Sequence, residues 1–470
     1  MKNSLLLGAF FLWAAMALAG CASEAEKELA YAFKLAGANR PELEKVLAHY
    51  PDDSLKREAA AFLIRNMIYH TTSSPQGMQK DITCLKASFL TQTIDLAFEA
   101  WDKPWSRKIS FDDFCRYILP YRAVNEPPCR LRREIMDEFM PLLERLQPRT
   151  PLEAGTAVQA ILKERLRFEE GESTYYPSVE EVYGSGKGKC DGLAITAAFV
   201  FRAVGIPTTI EYTVWSKRDG EHYWCALLND DRKFYSFAPE NEPPGKLAPM
   251  LTRKWVTPAK IYRYEYAPVV SCSAEIRDAY RTFLKSPLLR DVTAEYNSPV
   301  TCIRIRSAKK RKRKEGLVYL CAFNQADWRP LAMGKRENDV CTVCNVVGDD
   351  LFILAEASED NSGRLDYITA PFYLGRQGQI HFFASHSRPS EPVYLSRREK
   401  KYADLIETLS LWDDAIQRFR PLRLPLDSTD ALWVLKDAPS NALFKARIRQ
   451  VSLSGEIRPL FFEGDSVRIY

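Results

Sequence analysis

Two residues of this chain have the types and the spacing for nucleophilic chemistry, Cys190 and His222. Cys190 closes the stretch GSGKGKC, Gly184 to Cys190, and is followed by DGLAITAAFVFRAVGIP. The apolar run reads as a helix that begins at or beside Cys190, stops at Gly205 and cannot continue past Pro207. A thiol at a helix start feels the positive end of the helix dipole, which favours the reactive thiolate. Lys187 and Lys189 would add positive potential. Gly184, Gly186 and Gly188 make the approach flexible and uncrowded. On these features alone Cys190 is either a nucleophile or a small core residue of the kind Cys84 and Cys321 suggest.

A nucleophilic thiol needs a base. The chain offers His49, His70, His222, His381 and His386. His49 and His70 fall in or at the ends of helical segments, and His381 and His386 in a later strand-rich region. His222 lies 32 residues after Cys190. It opens the strand that follows a hairpin turn, and a helix feeding a hairpin can bring that strand against the helix start. His222 is therefore the best-placed partner.

Around this pair the chain divides by pattern. Residues 21–150 read as helical. SEAEKELAYAFKLAG carries apolar residues at helical spacing with Gly37 as a stop. RPELEKVLAHY puts Pro41 in a first turn, and DDSLKREAAAFLIRNMIYH offers Asp52, Asp53 or Ser54 as a cap. Residues 151–268 form an α+β unit: a helix near AGTAVQAILKERLRF, the Cys190 helix, then strands TTIEYTVWS, EHYWCALLN and KFYSFAP separated by the turns KRDG and NDDR. Residues 269–388 alternate like a β-sandwich after a connecting helix at EIRDAYRTFLKS. Residues 389–470 read as a smaller β-rich unit, with RREKKYADLIETLSLWDDAIQRF helical in part. The fold class is thus multidomain.

GKGKCDGLAITAAFVFRAVGIPTTI, GEHYWCALL and RKFYSFAPE together resemble the transglutaminase-like superfamily of papain-like thiol enzymes. Cys190 matches the nucleophile of that family. Arg202, Ala203, Gly205, Ile206 and Pro207 match its helix end, and His222 and Trp224 its H-x-W strand. The resemblance covers residues 150 to 245. It implies a papain-like core and amide chemistry through a thioester, as in a peptidase, an amidase or a transglutaminase. It departs at the third position, where Ala238 stands in place of the family aspartate. Glu240, two residues on, is the alternative third member. Two functions are compatible with this pattern: an enzyme with Cys190 as nucleophile and His222 as base, or a catalytically impaired binding or scaffold protein that keeps the fold.

The first residues set a compartment. Lys2 precedes an apolar run from Leu5 to Leu18 that ends in LAGC. This is a signal peptide over residues 1–20, too short to be a membrane span. LAGC resembles the lipobox of bacterial lipoproteins, which implies lipidation at Cys21 and a protein anchored in the cell envelope, periplasmic or at the cell surface. For an anchored protein, the expected substrate is a peptide or protein amide, including cell-wall or glycan-linked ones.

A net charge of +5 gives no case for nucleic acid. The six basic residues Lys309 to Lys314 are a solvated hairpin tip or a contact for anionic polymer or lipid headgroups. No HExxH and no clustered Cys/His spacing is present, so neither a metal nor a cofactor is implied. The CTVC pair, Cys341 and Cys344, reads as strand cysteines, with any disulfide left unassigned.

Overall fold

A computed structural model describes residues 23–470 except 75–76, 172–174, 254–255, 270–285, 297, 308–314, 359–363, 384–392, 396–405, 423–432, 436–440, 449–458 and 464–465. The signal segment with Cys21, the basic run Lys309 to Lys314 and the expected connecting helix at EIRDAYRTFLKS lie outside the described residues.

The chain begins with α1 (Glu24–Ala36), α2 (Arg40–Ala48) and α3 (Ser54–Asn66). Their ends reflect the local chemistry. Ser23 and Glu26 form a reciprocal capping box on α1, Gly37 ends it at φ 55°, Pro41 sits in the first turn of α2, and Asp53 caps α3 by accepting from the Lys56 N–H. A short hairpin, β1 (Thr71–Ser74) and β2 (Gly77–Lys80), precedes α4 (Ala87–Trp101) and α5 (Phe111–Tyr117). The helices share a core built on Leu63, Ile64, Leu90, Ile94 and Phe114.

A second core runs from Leu96 to Tyr264 and so joins α4 to the central elements of the chain. It includes α6 (Arg132–Leu146), α7 (Pro151–Arg165) and α8 (Val179–Ser185), and is centred on α9 (Cys190–Ala203). Every residue of α9 from Gly192 to Ala203 is buried. Such a helix, apolar on all sides, belongs inside a domain rather than on its surface.

Between α8 and α9 the glycine stretch is ordered rather than loose. Gly186 adopts φ 70° and its N–H closes on the Val182 carbonyl at 2.8 Å. β3 (Arg167–Phe168) and β4 (Lys187–Gly188) then pair in parallel. The expected flexible approach is thus a left-handed helix cap followed by a bridge, because glycine is the residue that takes positive φ without strain.

One face of an antiparallel sheet packs on α9. Its strands are β5 (Thr208–Val214), β6 (Glu221–Leu228), β7 (Phe234–Phe237), β8 (Tyr262–Tyr264) and β9 (Leu289–Asp291), in the order β7-β6-β5-β8-β9. The three strands expected after the Cys190 helix are all present. The other face covers a cluster of Trp215, Trp224, Leu247, Leu251, Ile261, Val292 and Tyr296.

The C-terminal part is β-structure, as expected. One curled sheet contains β10 (Val300–Arg306), β11 (Glu315–Asn324), β12 (Asp327–Glu337), β13 (Val340–Val347), β14 (Asp350–Ala357), β15 (Leu365–Tyr367), β16 (Phe372–Leu374) and β17 (Ile380–Phe382). Cys344 on β13 is disulfide-bonded to Cys302 on the neighbouring β10, while Cys341 is a buried free thiol.

Beyond it lie β18 (Val393–Leu395), β19 (Ile406–Asp413), β20 (Arg418–Pro421), β21 (Trp433–Leu435), β22 (Phe444–Ile448), β23 (Pro459–Glu463) and β24 (Ser466–Ile469). Trp412, Leu443, Phe419 and Phe461 of this part pack on Tyr319, Phe323 and Trp328 of the curled sheet, so two layers face each other. The segment ETLSLWDDAIQRF, expected to be helical in part, is the hairpin β19–β20, turned at Gln417 with φ 54°. Leu409 and Leu411 are buried, and the Thr, Leu and Trp content suits a strand that is covered by neighbours. Among the described residues no helix is long and apolar enough to cross a membrane.

Candidate active site

Cys190 is the first residue of α9, as the sequence suggests, with Lys189 at the N-cap. The helix dipole does not decide the state of the thiol. Burial dominates and pushes the Cys190 pKa up to about 11, Asp191 and Glu221 add to the rise, and the backbone N–H of Tyr223 offsets part of it by bonding to the sulfur. This corrects the expectation of a depressed thiol pKa. The same N–H sets the geometry, because it places the sulfur against β6 one residue from His222.

Strand alternation separates the two side chains. Tyr223 and Cys225 face α9: the Cys225 thiol donates to the Ala194 carbonyl at 3.2 Å, and Tyr223 shares a hydroxyl hydrogen bond of 3.0 Å with Tyr176. His222 and Trp224 face the other way. The His222 ring lies 5.7 Å from the Trp215 ring and 5.6 Å from the Trp224 ring, nearly parallel to the first at 21°. Arg218 completes the pile, with its guanidinium carbon 3.9 Å from the Trp215 ring centre. Burial, together with the positive charge of Arg218, lowers the His222 pKa from 6.5 to about 4. Cys190 and His222 are therefore brought to the same end of β6 but on its two faces.

No carboxylate acts on the His222 ring among the described residues. Ala238 is buried, one residue beyond the last paired position of β7, where Phe237 stands opposite Cys225. Its position is thus beside Trp224, on the His222 face. Glu240 lies past the strand end, and burial raises its pKa. Its charge falls on the Cys225 thiol, on the α9 side. Among the described residues no hydrogen bond or charge effect joins Glu240 to His222.

The carboxylate of the His222 face is Glu211, which the sequence reading missed. It is fully buried on β5, directly opposite Trp224. Trp224 donates its indole N–H to Glu211 at 2.8 Å, Tyr296 donates its hydroxyl to the same oxygen, and Arg263 reaches the other oxygen at 2.6 Å. Trp224 thereby holds its ring against His222 while Glu211 holds Trp224. A single acidic residue amid Thr, Ile, Tyr and Val in TTIEYTV is the sequence signal that could have pointed to it.

Among the described residues no group of three or more His, Cys, Asp or Glu side chains is arranged to hold a metal ion.

Among curated proteins none matches the chain. Solved structures similar to it include two of known source. One is a protein assigned as a cysteine protease from Cytophaga hutchinsonii, 14% identical, with a TM-score of 0.20, covering 24% of this chain; the match spans 37% of the length of that protein. The other is red sea bream transglutaminase, 10% identical, with a TM-score of 0.23, covering 85% of this chain and 77% of that one. The family model of the transglutaminase-like superfamily matches residues 142–239, and this segment, from the end of α6 to just beyond β7, is a transglutaminase-like core.

Proposed function

We propose that the chain is a thiol enzyme acting on peptide or protein amides, with Cys190 as nucleophile and His222 as base. The observation that carries this reading is the Cys190 sulfur at the start of α9, met by the Tyr223 N–H beside His222 within a transglutaminase-like core.

That reaction requires the His222 ring to leave the Trp215–Trp224 pile and reach the Cys190 sulfur around the shared end of β6. There His222, neutral near pH 7 because its pKa is about 4, takes the Cys190 thiol proton. The sulfur attacks the amide carbonyl carbon, the C–N bond breaks, and the proton passes from His222 to the leaving amine. A thioester remains on Cys190. Water or a second amine attacks it with loss of its own proton to His222, releasing an acid or a new amide and restoring the thiol. The backbone N–H of Cys190, at the start of α9, is the donor for the developing oxyanion. Trapping tests the scheme. An amide substrate analogue with an electrophilic carbonyl should label the protein at Cys190, and Cys190→Ala and His222→Ala should each abolish labelling. Labelling retained in Cys190→Ala would sink the proposal.

A second reading, a binding or scaffold protein that keeps the fold without turnover, is favoured by one observation. The charged group that acts on His222 is Arg218, a cation where an orienting carboxylate is needed. A folded protein that binds amide-containing peptides but never forms a thioester would support it.

Lipidation at Cys21 and a place in the cell envelope belong to the same proposal. The Cys302–Cys344 disulfide supports them, because disulfides persist in oxidising compartments. The mass of the mature N-terminus tests the anchor: an unmodified or uncut Cys21 refutes it.

A further inference from the structure

A cleft of about 770 Å³ opens between α5 and the β6–β7 hairpin. That volume suits a small-molecule ligand. It lies at the Leu228–Phe234 end of the hairpin. The Cys190 thiol meets β6 at Tyr223, roughly 17 Å away along the strand. The cleft is therefore separate from the candidate active site.

The cations around it other than Arg232 and Lys233 are already paired. Arg263, 3% exposed, is held by Glu211 at 2.6 Å and by Glu295 at 2.7 Å, and its guanidinium lies 3.5 Å over the Phe234 ring. Arg290 pairs with Glu265 at 2.8 Å and Arg116 with Asp112 at 3.0 Å. Asp113 accepts from the Ser110 hydroxyl at 2.7 Å at the start of α5. Two lining cations, Arg232 and Lys233, have no ion-pair partner among the described residues. Asp113 and the second carboxylate on Arg263 offset their charge overall, so what the cleft offers an anion is the local placement of this pair and not a net positive charge. Among the described residues neither side chain has a carboxylate within 4.0 Å. Lys233 feels Asp231 at longer range, but the Asp231 carboxylate already accepts from the Tyr235 hydroxyl at 2.8 Å and from the Lys233 N–H at 3.1 Å.

The backbone supplies an independent observation. Arg232 stands at φ 61° in the turn of this hairpin, its N–H bonded to the Asn229 carbonyl at 2.9 Å. Glycine or asparagine is the ordinary occupant of such a position. An arginine there is held against a local cost, and its side chain is delivered to the cleft rim.

We propose that this cleft binds a small oxyanion ligand, a carboxylate or a phosphate, gripped by Arg232 and Lys233 beside the aromatic wall of Phe234 and Tyr117. Arginine presents a planar fork that matches both oxyanions, and a nearby lysine adds a point charge. The proposal is independent of whether Cys190 turns over substrate.

Titration calorimetry on the full chain at low ionic strength tests it, with citrate and inorganic phosphate as probes and spermidine as the cationic control. Saturable binding of one or both anions is expected, and the stronger probe distinguishes a carboxylate from a phosphate ligand. Arg232→Gly and Lys233→Ala should each weaken binding at least tenfold. Arg232→Gly should also leave the melting temperature unchanged or higher, because glycine relieves the turn, so lost binding cannot be put down to misfolding. Three results would overturn the proposal. Neither anion saturates the wild type; or Arg232→Gly keeps wild-type affinity, which moves binding elsewhere, such as to Lys309 to Lys314; or spermidine binds in preference to both anions.

Discussion

Asn324 and Gly220 hold each other by two hydrogen bonds across 104 residues of chain: the Asn324 amide donates to the Gly220 carbonyl at 2.7 Å, and the Gly220 N–H donates to the Asn324 side-chain oxygen at 3.1 Å. The same amide reaches the Trp215 carbonyl at 2.7 Å. Asn324, at the end of β11, thus closes the β5–β6 loop that delivers His222. Asn324→Ala would take this partner from the Gly220 N–H and the Trp215 carbonyl in a partly buried place, while the Gly220 carbonyl keeps the Trp215 N–H, at a cost of about 1–2 kcal/mol. Urea unfolding should show the loss. A variant as stable as the wild type would contradict the clamp.

Cys190 should react slowly at neutral pH. With its pKa at about 11, roughly one thiol in ten thousand is ionised at pH 7. Its alkylation rate by iodoacetamide, followed by peptide mass spectrometry, should rise about tenfold per pH unit from pH 7 to pH 10. A plateau below pH 8 would show that the resting thiol is already activated.

Ala238→Asp should strengthen the site. The new carboxylate would stand beside Trp224 on the His222 face, where an orienting group is absent among the described residues. Amide hydrolysis should increase by roughly tenfold or more. The imidazole pKa, read by NMR, should move up from about 4 as a negative charge joins Arg218. A folded variant in which neither quantity moves would show that position 238 is not the third position of this site.

Acid should destabilise the fold through His70. Burial, with the charge of Arg122 next in size, lowers its pKa from 6.5 to about 3, while the backbone bond to the Tyr266 carbonyl opposes the shift. The folded state therefore holds the neutral ring and unfolding takes up a proton. The stability is fully present above about pH 6.5 and is lost as pH falls toward about 3. His70→Gln should flatten that acid limb in pH-dependent denaturant melts. An unchanged limb would assign the acid sensitivity elsewhere.

Much of this core was legible in local signals. The apolar run after Cys190, Gly205 and Pro207 marked out α9, and turn residues separated β5, β6 and β7 where the structure has them. What could not be read was decided by burial and by partners far along the chain. A helix start favours a thiolate, but the desolvation of Cys190 outweighs the dipole, and burial is not written in GKGKC. H-x-W does reveal that His222 and Trp224 share a face. It does not reveal that the Cys190 sulfur lies on the opposite one, against the Tyr223 N–H. Glu240 was near in sequence, whereas Glu211, the carboxylate built into the His222 face, is set by the pairing of β5 with β6. In ETLSLWDDAIQRF the spacing of apolar residues fits a helix as well as a strand, and pairing with β22 selects the strand.

The end of α9 carries a last consequence. The Trp105 indole donates to the Val204 carbonyl at 2.8 Å, the Ser106 hydroxyl donates to the Gly205 carbonyl, and the Arg202 guanidinium donates to the Arg122 carbonyl at 2.6 Å. Even one methyl group on Gly205 would lie 2.3 Å from the Ala100 carbonyl oxygen. Each of these partners precedes residue 142, where the family match begins. The matched segment is consequently no portable cassette in this chain: the helices before it are splints on its central helix, and a fragment cut at the family boundary would carry that helix with its C-terminal end unsupported.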